Sequence, residues 1–308
     1  MVVLASVLPA RGEAAPVADW ATKIAIGLVF FLHGARLSRE AVIGGLTHWR
    51  LHLVVLSATF ALFPILCLGL AALPPQVTPP ALAGGLVFLG CLPSTIQSSI
   101  GFTVIARGNV AAAVAAASAS NLLGILITPL LVGLIFHQQS VISVHSAWAI
   151  VLQLLAPFLA GQVLRRWIGG FVARHATLLQ RIDRGSILLV VYTAFSGAVV
   201  GGVWSRIDAL DLVRLLALCG VLLAAVLAAT WLAARTLGFA KEDEIAIVFC
   251  GSKKSLASGV PMAGVLFPAA TAGLALLPLM LFHQIQLMAC AVIAQRYANR
   301  ADAAIATA

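Results

Sequence analysis

Between Arg50 and Arg165 the chain carries one charged residue, Arg107, and the positions around it are apolar or small. The pattern recurs: residues 51–106, 108–164, 185–205, 215–234 and 255–295 contain no Asp, Glu, Lys or Arg. About 20 apolar residues carry a helix across a bilayer, so the three longest runs each hold about two crossings. Their period is helical or unresolved, not the two-residue alternation of a transmembrane barrel. The pattern predicts an all-α polytopic membrane protein with crossings at 20–36, 51–73, 80–106, 108–136, 146–168, 185–204, 212–236, 244–266 and 270–296. Residues 2–10 read as the end of one more. The proline-rich "LPPQVTPP" at 73–80 predicts a hairpin, and the polar stretch 165–184 predicts the longest connection.

Composition agrees. The 308 residues are 62% hydrophobic and 9% charged, against about 25% charged in soluble domains. A net charge of +9 raises the question of nucleic acid, and its distribution answers no. Arg36, Arg39, Arg50, Arg107, Arg165, Arg166, Arg174, Arg181, Arg184, Arg235, Lys241, Arg296 and Arg300 fall in alternate loops, while the opposite loops hold Arg11, Arg206 and Arg214. This asymmetry predicts that the first set and the C-terminus are cytoplasmic, with the lipid bilayer as surroundings. The cell (inner) membrane is the expected location. The five cysteines lie in apolar spans without paired metal spacing and read as small buried residues. "MVVLASVLPA" has no basic region ahead of it and is a poor signal peptide.

Two segments stand apart from the rest. "VFLGCLPSTIQSSIGFTVI" (87–105) and "VFCGSKKSLASGVPMAGVLF" (248–267) both begin VF-x-G and both are interrupted by Ser, Gly and Pro. With a first crossing restored, each is fourth in a five-crossing half and precedes a long last crossing. The halves, about 1–137 and about 138–300, then enter the membrane from opposite sides. Matched, interrupted helices in inverted halves point to a transporter binding site.

The second segment places Lys253 and Lys254 nine and ten residues past Glu244, about 13 Å along a helix and near mid-depth. Every acidic residue lies in a loop or at a span end, so no core carboxylate pairs with them. A central lysine costs about 2.5–3.5 kcal/mol to insert. Neighbouring helical residues diverge by about 100°, so in an unbroken helix the two ammonium groups cannot serve one site. One reading makes them fixed cations of a transport site. Another makes one of them structural. A third pairs Ser252 or Ser255 with a lysine as a nucleophilic dyad. A phosphate loop fails, because no glycine directly precedes the lysines. Thr95, Gln97, Ser98 and Ser99 come from the first interrupted segment, and Asn121 from the crossing after it, beside Ser118 and Ser120, which also suit helix packing. A buried amide needs several partners, which singles out Gln97 and Asn121. His283, beside Gln284 and Gln286, suits either proton transfer or interhelical hydrogen bonding. No cofactor and no enzymatic activity is expected.

"ARGNVAAAVAAASASNLLGILITPLL" (106–131), the interrupted segment before it and "IVFCGSKKSLASGVPMA" together resemble the bile acid:sodium symporter family. The resemblance is closest to a divergent branch of bacterial sodium-dependent transporter relatives with one vertebrate Golgi-associated member. It covers essentially the whole chain. It implies ten helices in two inverted five-helix repeats, with helices 4 and 9 broken and crossing. It also implies panel-type helices at about 2–10, 20–36, 146–168 and 185–204, and core-type helices at about 51–73, 80–106, 108–136, 212–236, 244–266 and 270–296. The first helix is then short, which suggests a start upstream of Met1, the alternative being a genuine half-helix. The family's sodium-binding glutamate falls on Phe249, its glutamine on Lys253 and its asparagine on Lys254. Its Ser-Asn pair falls on Ser98–Ser99 or Ser99–Ile100, its hydroxyl ligands on Ala113 and Ala117, and a further glutamine on Thr59. The implied function is secondary active transport of a small organic solute, expected to be anionic, with sodium or proton coupling left open. The alternative is a non-transporting regulator or sensor, of ion homeostasis for instance, that keeps the fold.

Overall fold

The computed structural model of the chain describes residues 1–36, 48–136, 144–202, 205 and 207–306, and among these there are helices and no strand. The short α1 (Val2–Val7) and α2 (Ala14–Arg36) are followed by α3 (Trp49–Ala71). The first interrupted segment is two helices, α4 (Pro80–Cys91) and α5 (Gln97–Ile105). Next come α6 (Val110–Phe136), α7 (Val144–Arg174), α8 (Ala176–Val200) and α9 (Ala209–Thr236). The second interrupted segment is again two helices, α10 (Lys241–Gly251) and α11 (Leu256–Leu266), and α12 (Ala269–Ala306) ends the chain. Among the described residues six helices (α2, α3, α6, α8, α9 and α12) are long and apolar enough to cross a bilayer. The chain is a multi-pass membrane protein.

One expected connection is absent. Residues 165–184 are helical apart from His175, where α7 gives way to α8. Their arginines read as a loop, but arginine is a good helix former. A helix of 31 residues is about 46 Å long, well beyond a hydrocarbon core of about 30 Å. The polar stretch is where α7 and α8 project past that core. The segments 37–47 and 137–143, where Arg39 and the boundary between the halves fall, lie outside the described residues.

The chain forms two compact units. One contains Met1–Ser38, Ile125–Asp211 and Ala257–Leu277. In it α2 and α7 meet backbone to backbone: Gly34 lies against the Phe158 carbonyl and Gly161 against that of Phe31, with no space for a Cβ. Such close approach is how helices associate without a hydrophobic driving force. Thr22 donates to Thr193 (2.8 Å), Arg36 pairs with Asp183 (2.8 Å), and Tyr192 holds the Leu8 carbonyl (2.8 Å).

The other unit contains Arg39–Gly124, Leu212–Leu256 and Pro278–Ala308, and it holds both helix breaks. Pro93 ends α4, because proline has no N–H and disfavours helix at the preceding residue. Leu92 is accordingly extended (φ −77°, ψ 154°). Residues 252–255 separate α10 from α11 without a proline. There the Ser252 hydroxyl donates to the Val248 carbonyl (2.6 Å), a local bond that competes with helix continuation. The two breaks touch. Ser255 N–H donates to Pro93 O (2.9 Å), Ser94 Oγ to Cys250 O (2.6 Å) and Ser99 Oγ to Phe249 O (3.0 Å). Hydroxyls of the first interrupted segment, Ser94 in the break and Ser99 in α5, thus cap carbonyls that the end of α10 leaves without helical partners. Gly124 of α6 has room for Pro93 only because it lacks a Cβ, which would lie 2.7 Å from the proline ring.

Candidate functional site

The wide turn in α3 begins the site. Residues 58–62 form a π turn in which the Phe63 N–H reaches back five residues to Ala58 O. The carbonyl of Thr59 has then lost its α-helical donor, and its π-helical donor would be residue 64, a proline. A second free carbonyl comes from Gly90. Its 3₁₀ partner is Pro93, and its α partner, the Ser94 N–H, donates instead to Ser120 Oγ (3.0 Å). Leu92 supplies a third from within the break.

All three accept from one ammonium group. Lys254 Nζ lies 2.8 Å from Thr59 O, 2.7 Å from Gly90 O and 2.6 Å from Leu92 O. Its three N–H groups are used, and the nitrogen lies 4.1 Å from the centre of the Phe63 ring. Two of these acceptors belong to the C-terminal end of α4, where the helix dipole is negative. Lys254 is 0% exposed, and its charge is met by carbonyl dipoles.

Lys253 is also 0% exposed, but its surroundings differ. Nζ donates to Ser98 O (3.0 Å) and lies 4.0 Å from the Phe102 ring centre and 5.0 Å from that of Phe249. One carbonyl and two aromatic faces replace three carbonyls. The two rings pack at 5.9 Å from each other, and Phe249 also meets Tyr297 edge-on at 6.3 Å. The break therefore separates the ammonium groups: Lys254 serves α3 and α4, and Lys253 serves α5.

The backbone of the break is held from α12. Gln286 accepts the Lys254 N–H through Oε1 (2.9 Å) and donates through Nε2 to the Lys254 carbonyl (3.0 Å). The same Nε2 lies 2.8 Å from His283 Nδ1, which is itself 3.5 Å from Lys254 O.

Most residues singled out from sequence gather here. Thr95 Oγ1 bonds the hydroxyls of Ser98 (2.7 Å) and Ser99 (3.1 Å). Asn121 Nδ2 donates to Ser94 O (2.6 Å) and Ala117 O (3.0 Å). Thr59 contributes its carbonyl, while its hydroxyl donates to Val55 O (2.8 Å). Ser252 and Ser255 are buried within the break, the first through its hydroxyl on Val248 O and the second through its N–H on Pro93 O. Both ammonium groups are turned onto carbonyls, and the three donors of Lys254 are occupied there.

Two expected residues are elsewhere. Gln97 and Gln284 are both exposed. Gln97 opens α5 on the side turned from its buried Ser99, and Gln284 is about 200° around α12 from the buried Gln286. Gln286 is the amide that meets the break, and its spacing of three from His283 is the signal in the sequence that points to it. Ala113 and Ala117 line an apolar cluster with Leu51, Val55 and Cys250. At the start of α10, buried Glu244 joins Lys241 (2.6 Å), Tyr297 (2.8 Å) and Arg235 (3.3 Å), which anchors that helix away from the break.

Comparison with known proteins bears on this arrangement. The chain is 58% identical to the uncharacterized protein PA2026 of Pseudomonas aeruginosa, over 99% of this chain and 92% of that protein. It is 52% identical to YfeH of Escherichia coli (strain K12), a protein named as a symporter, over 98% of this chain and 91% of the relative. Sodium/bile acid cotransporter 7 of Mus musculus is 30% identical over 88% of this chain and 81% of its own length. The profile of one membrane transporter family matches residues 1–299. The chain belongs to the SBF-like CPA transporter family.

Proposed function

We propose that the chain is a secondary active transporter that moves a small organic anion across the inner membrane by alternating access, with lysine ammonium groups in place of coupled sodium ions. The observation that carries this reading is the Lys254 ammonium, bonded to three peptide carbonyls at 2.6–2.8 Å where α3 widens and α4 ends. Peptide oxygens converging at helix discontinuities are how transporters of this architecture bind a monovalent cation. The resemblance supports the placement, since the family's glutamine and asparagine fall on Lys253 and Lys254 and its carboxylate on Phe249. An anionic solute follows from two core cations with no core carboxylate. In this reading the chain has ten helices in two inverted repeats, with panel-type and core-type groups as given above and a cytoplasmic C-terminus. Thr95, Ser98, Ser99, Asn121 and His283 complete the site.

The test is uptake into proteoliposomes under an imposed sodium or proton gradient, comparing wild type with Lys253→Gln and Lys254→Asn. Uptake by the wild type without sodium, lost in at least one variant, is expected. Strict sodium dependence in the wild type would remove the ammonium-for-sodium reading. Unchanged uptake in both variants would remove the site assignment. Solute-dependent thermal stabilisation without any uptake would favour a regulator or sensor instead.

A further inference from the structure

The amide of Gln286 is oriented by its backbone partner. Because Oε1 accepts the Lys254 N–H at 2.9 Å, Nε2 is the donor at both of its own contacts, Lys254 O at 3.0 Å and His283 Nδ1 at 2.8 Å. His283 Nδ1 therefore accepts, and the imidazole in this state is neutral with its hydrogen on Nε2. A proton added at Nδ1 sets two donors against each other at that separation. The new N–H has an acceptor within reach in the Lys254 carbonyl, now 3.5 Å away, which is the group that Gln286 already uses. Turning the Gln286 amide relieves the contact with His283 but places an N–H against the Lys254 N–H. No arrangement of the three groups keeps all the present bonds once His283 is charged.

We infer that His283 is a proton-binding site that controls the second helix break through Gln286: the neutral imidazole lets Gln286 clasp the Lys254 peptide, and the imidazolium displaces it. Gln286 is a positioning residue, acting on the Lys254 backbone and through it on where the ammonium points. From the break, the charged group that acts on His283 is Lys253, while Lys254 meets it through its backbone carbonyl. The ammonium of Lys254 is turned to the α3 and α4 carbonyls, so Lys253 is the like charge that the imidazolium meets. On α12 itself the next ionisable side chain is Cys290, seven residues on, and the carboxylates Glu242, Asp243 and Glu244 lie at the far end of α10. Neither counter-charges the imidazole. A proton arriving at His283 therefore works against Lys253 as well as against the clasp, and both effects loosen the break.

The inference names an ion for the transport cycle proposed above, and the experiment reads the break itself. Hydrogen exchange of the peptide carrying the Lys254 and Ser255 amides is followed in the full-length protein in nanodiscs, at about pH 7.5 and about pH 4.5, the lower value set well below the ordinary histidine range because Lys253 and the clasp both oppose the imidazolium. His283→Asn keeps an acceptor at the Nδ1 position and cannot be charged. Comparing proteins at the same pH cancels the intrinsic pH dependence of exchange. On acidification the wild type is expected to lose about tenfold more protection than His283→Asn, and Gln286→Leu is expected to be unprotected at both pH values. Equal protection of wild type and His283→Asn at both pH values would overturn the inference. Gln286→Glu supplies a second arm, because its carboxylate accepts from both the Lys254 N–H and a charged imidazole. It should retain protection at low pH, and a wild-type-like loss would count against the switch. Failure of proteoliposome uptake with the exchange pattern intact would refute the transport reading and leave the proton site standing.

Discussion

Replacing each lysine by methionine separates the two ammonium sites by stability. Both substitutions remove one buried charge, so the insertion cost of about 2.5–3.5 kcal/mol is relieved equally and cancels in the comparison. What remains is the set of groups left behind. Lys254→Met leaves the carbonyls of Thr59, Gly90 and Leu92 without this donor, and Lys253→Met leaves that of Ser98. A buried carbonyl without a partner costs about 1–3 kcal/mol, so the two extra carbonyls favour Lys253→Met by about 2–6 kcal/mol. Lys253 loses one more aromatic contact than Lys254, which returns about 1 kcal/mol. Lys254→Met should therefore be the less stable by about 3 kcal/mol. At roughly 2 °C per kcal/mol for a chain of this size, its melting midpoint should lie about 6 °C lower. The measurement is thermal unfolding of the purified variants in one detergent at one scan rate, since the transition is under kinetic control. Equal midpoints, or a lower one for Lys253→Met, would refute the carbonyl accounting.

Two further outcomes follow from the same geometry. Lys254→Ala empties the space between the three carbonyls, so its melting midpoint should rise with sodium concentration while that of the wild type stays flat; a flat response in both would show that these oxygens do not form a cation site once the ammonium is gone. Gly124→Ala puts a methyl group 2.7 Å from the Pro93 ring, and the overpacking should cost about 1–3 kcal/mol and reduce uptake, read by thermal unfolding and proteoliposome flux.

The helical, membrane-spanning class and the first interruption were legible because each rests on a strong local signal. Charge-free runs of span length mark the helices, and Pro93 accounts for the first break by itself. The second break has no such residue: what keeps 252–255 out of the helix is tertiary, namely the Pro93 carbonyl on Ser255 and Gln286 on Lys254. Thr59 was found through the position of a family glutamine, but the atom that matters is its carbonyl, which side-chain reasoning does not address. That carbonyl was still recoverable in principle, since Pro64 follows Thr59 by five and Pro93 follows Gly90 by three, and each proline withholds an N–H. Gln97 and Gln284 illustrate the opposite failure. Both are amides near the breaks, but in a helix the facing side changes by about 100° per residue, and proximity in sequence does not select it.

The Lys254 contacts also constrain how the break can move. Its three acceptors come from the wide turn of α3 and the end of α4, and its peptide is clasped from α12, so one residue ties four segments of the same compact unit. Separating the ammonium from any of these carbonyls leaves a charge in a medium that solvates it poorly. The wide turn, the α4 end and the break should accordingly travel together through any conformational cycle. Lys253 is held by fewer segments, with a single carbonyl from α5 and two ring faces. Of the two adjacent cations, Lys254 is the one that ties the crossover together, and Lys253 has a single carbonyl and two ring faces to lose.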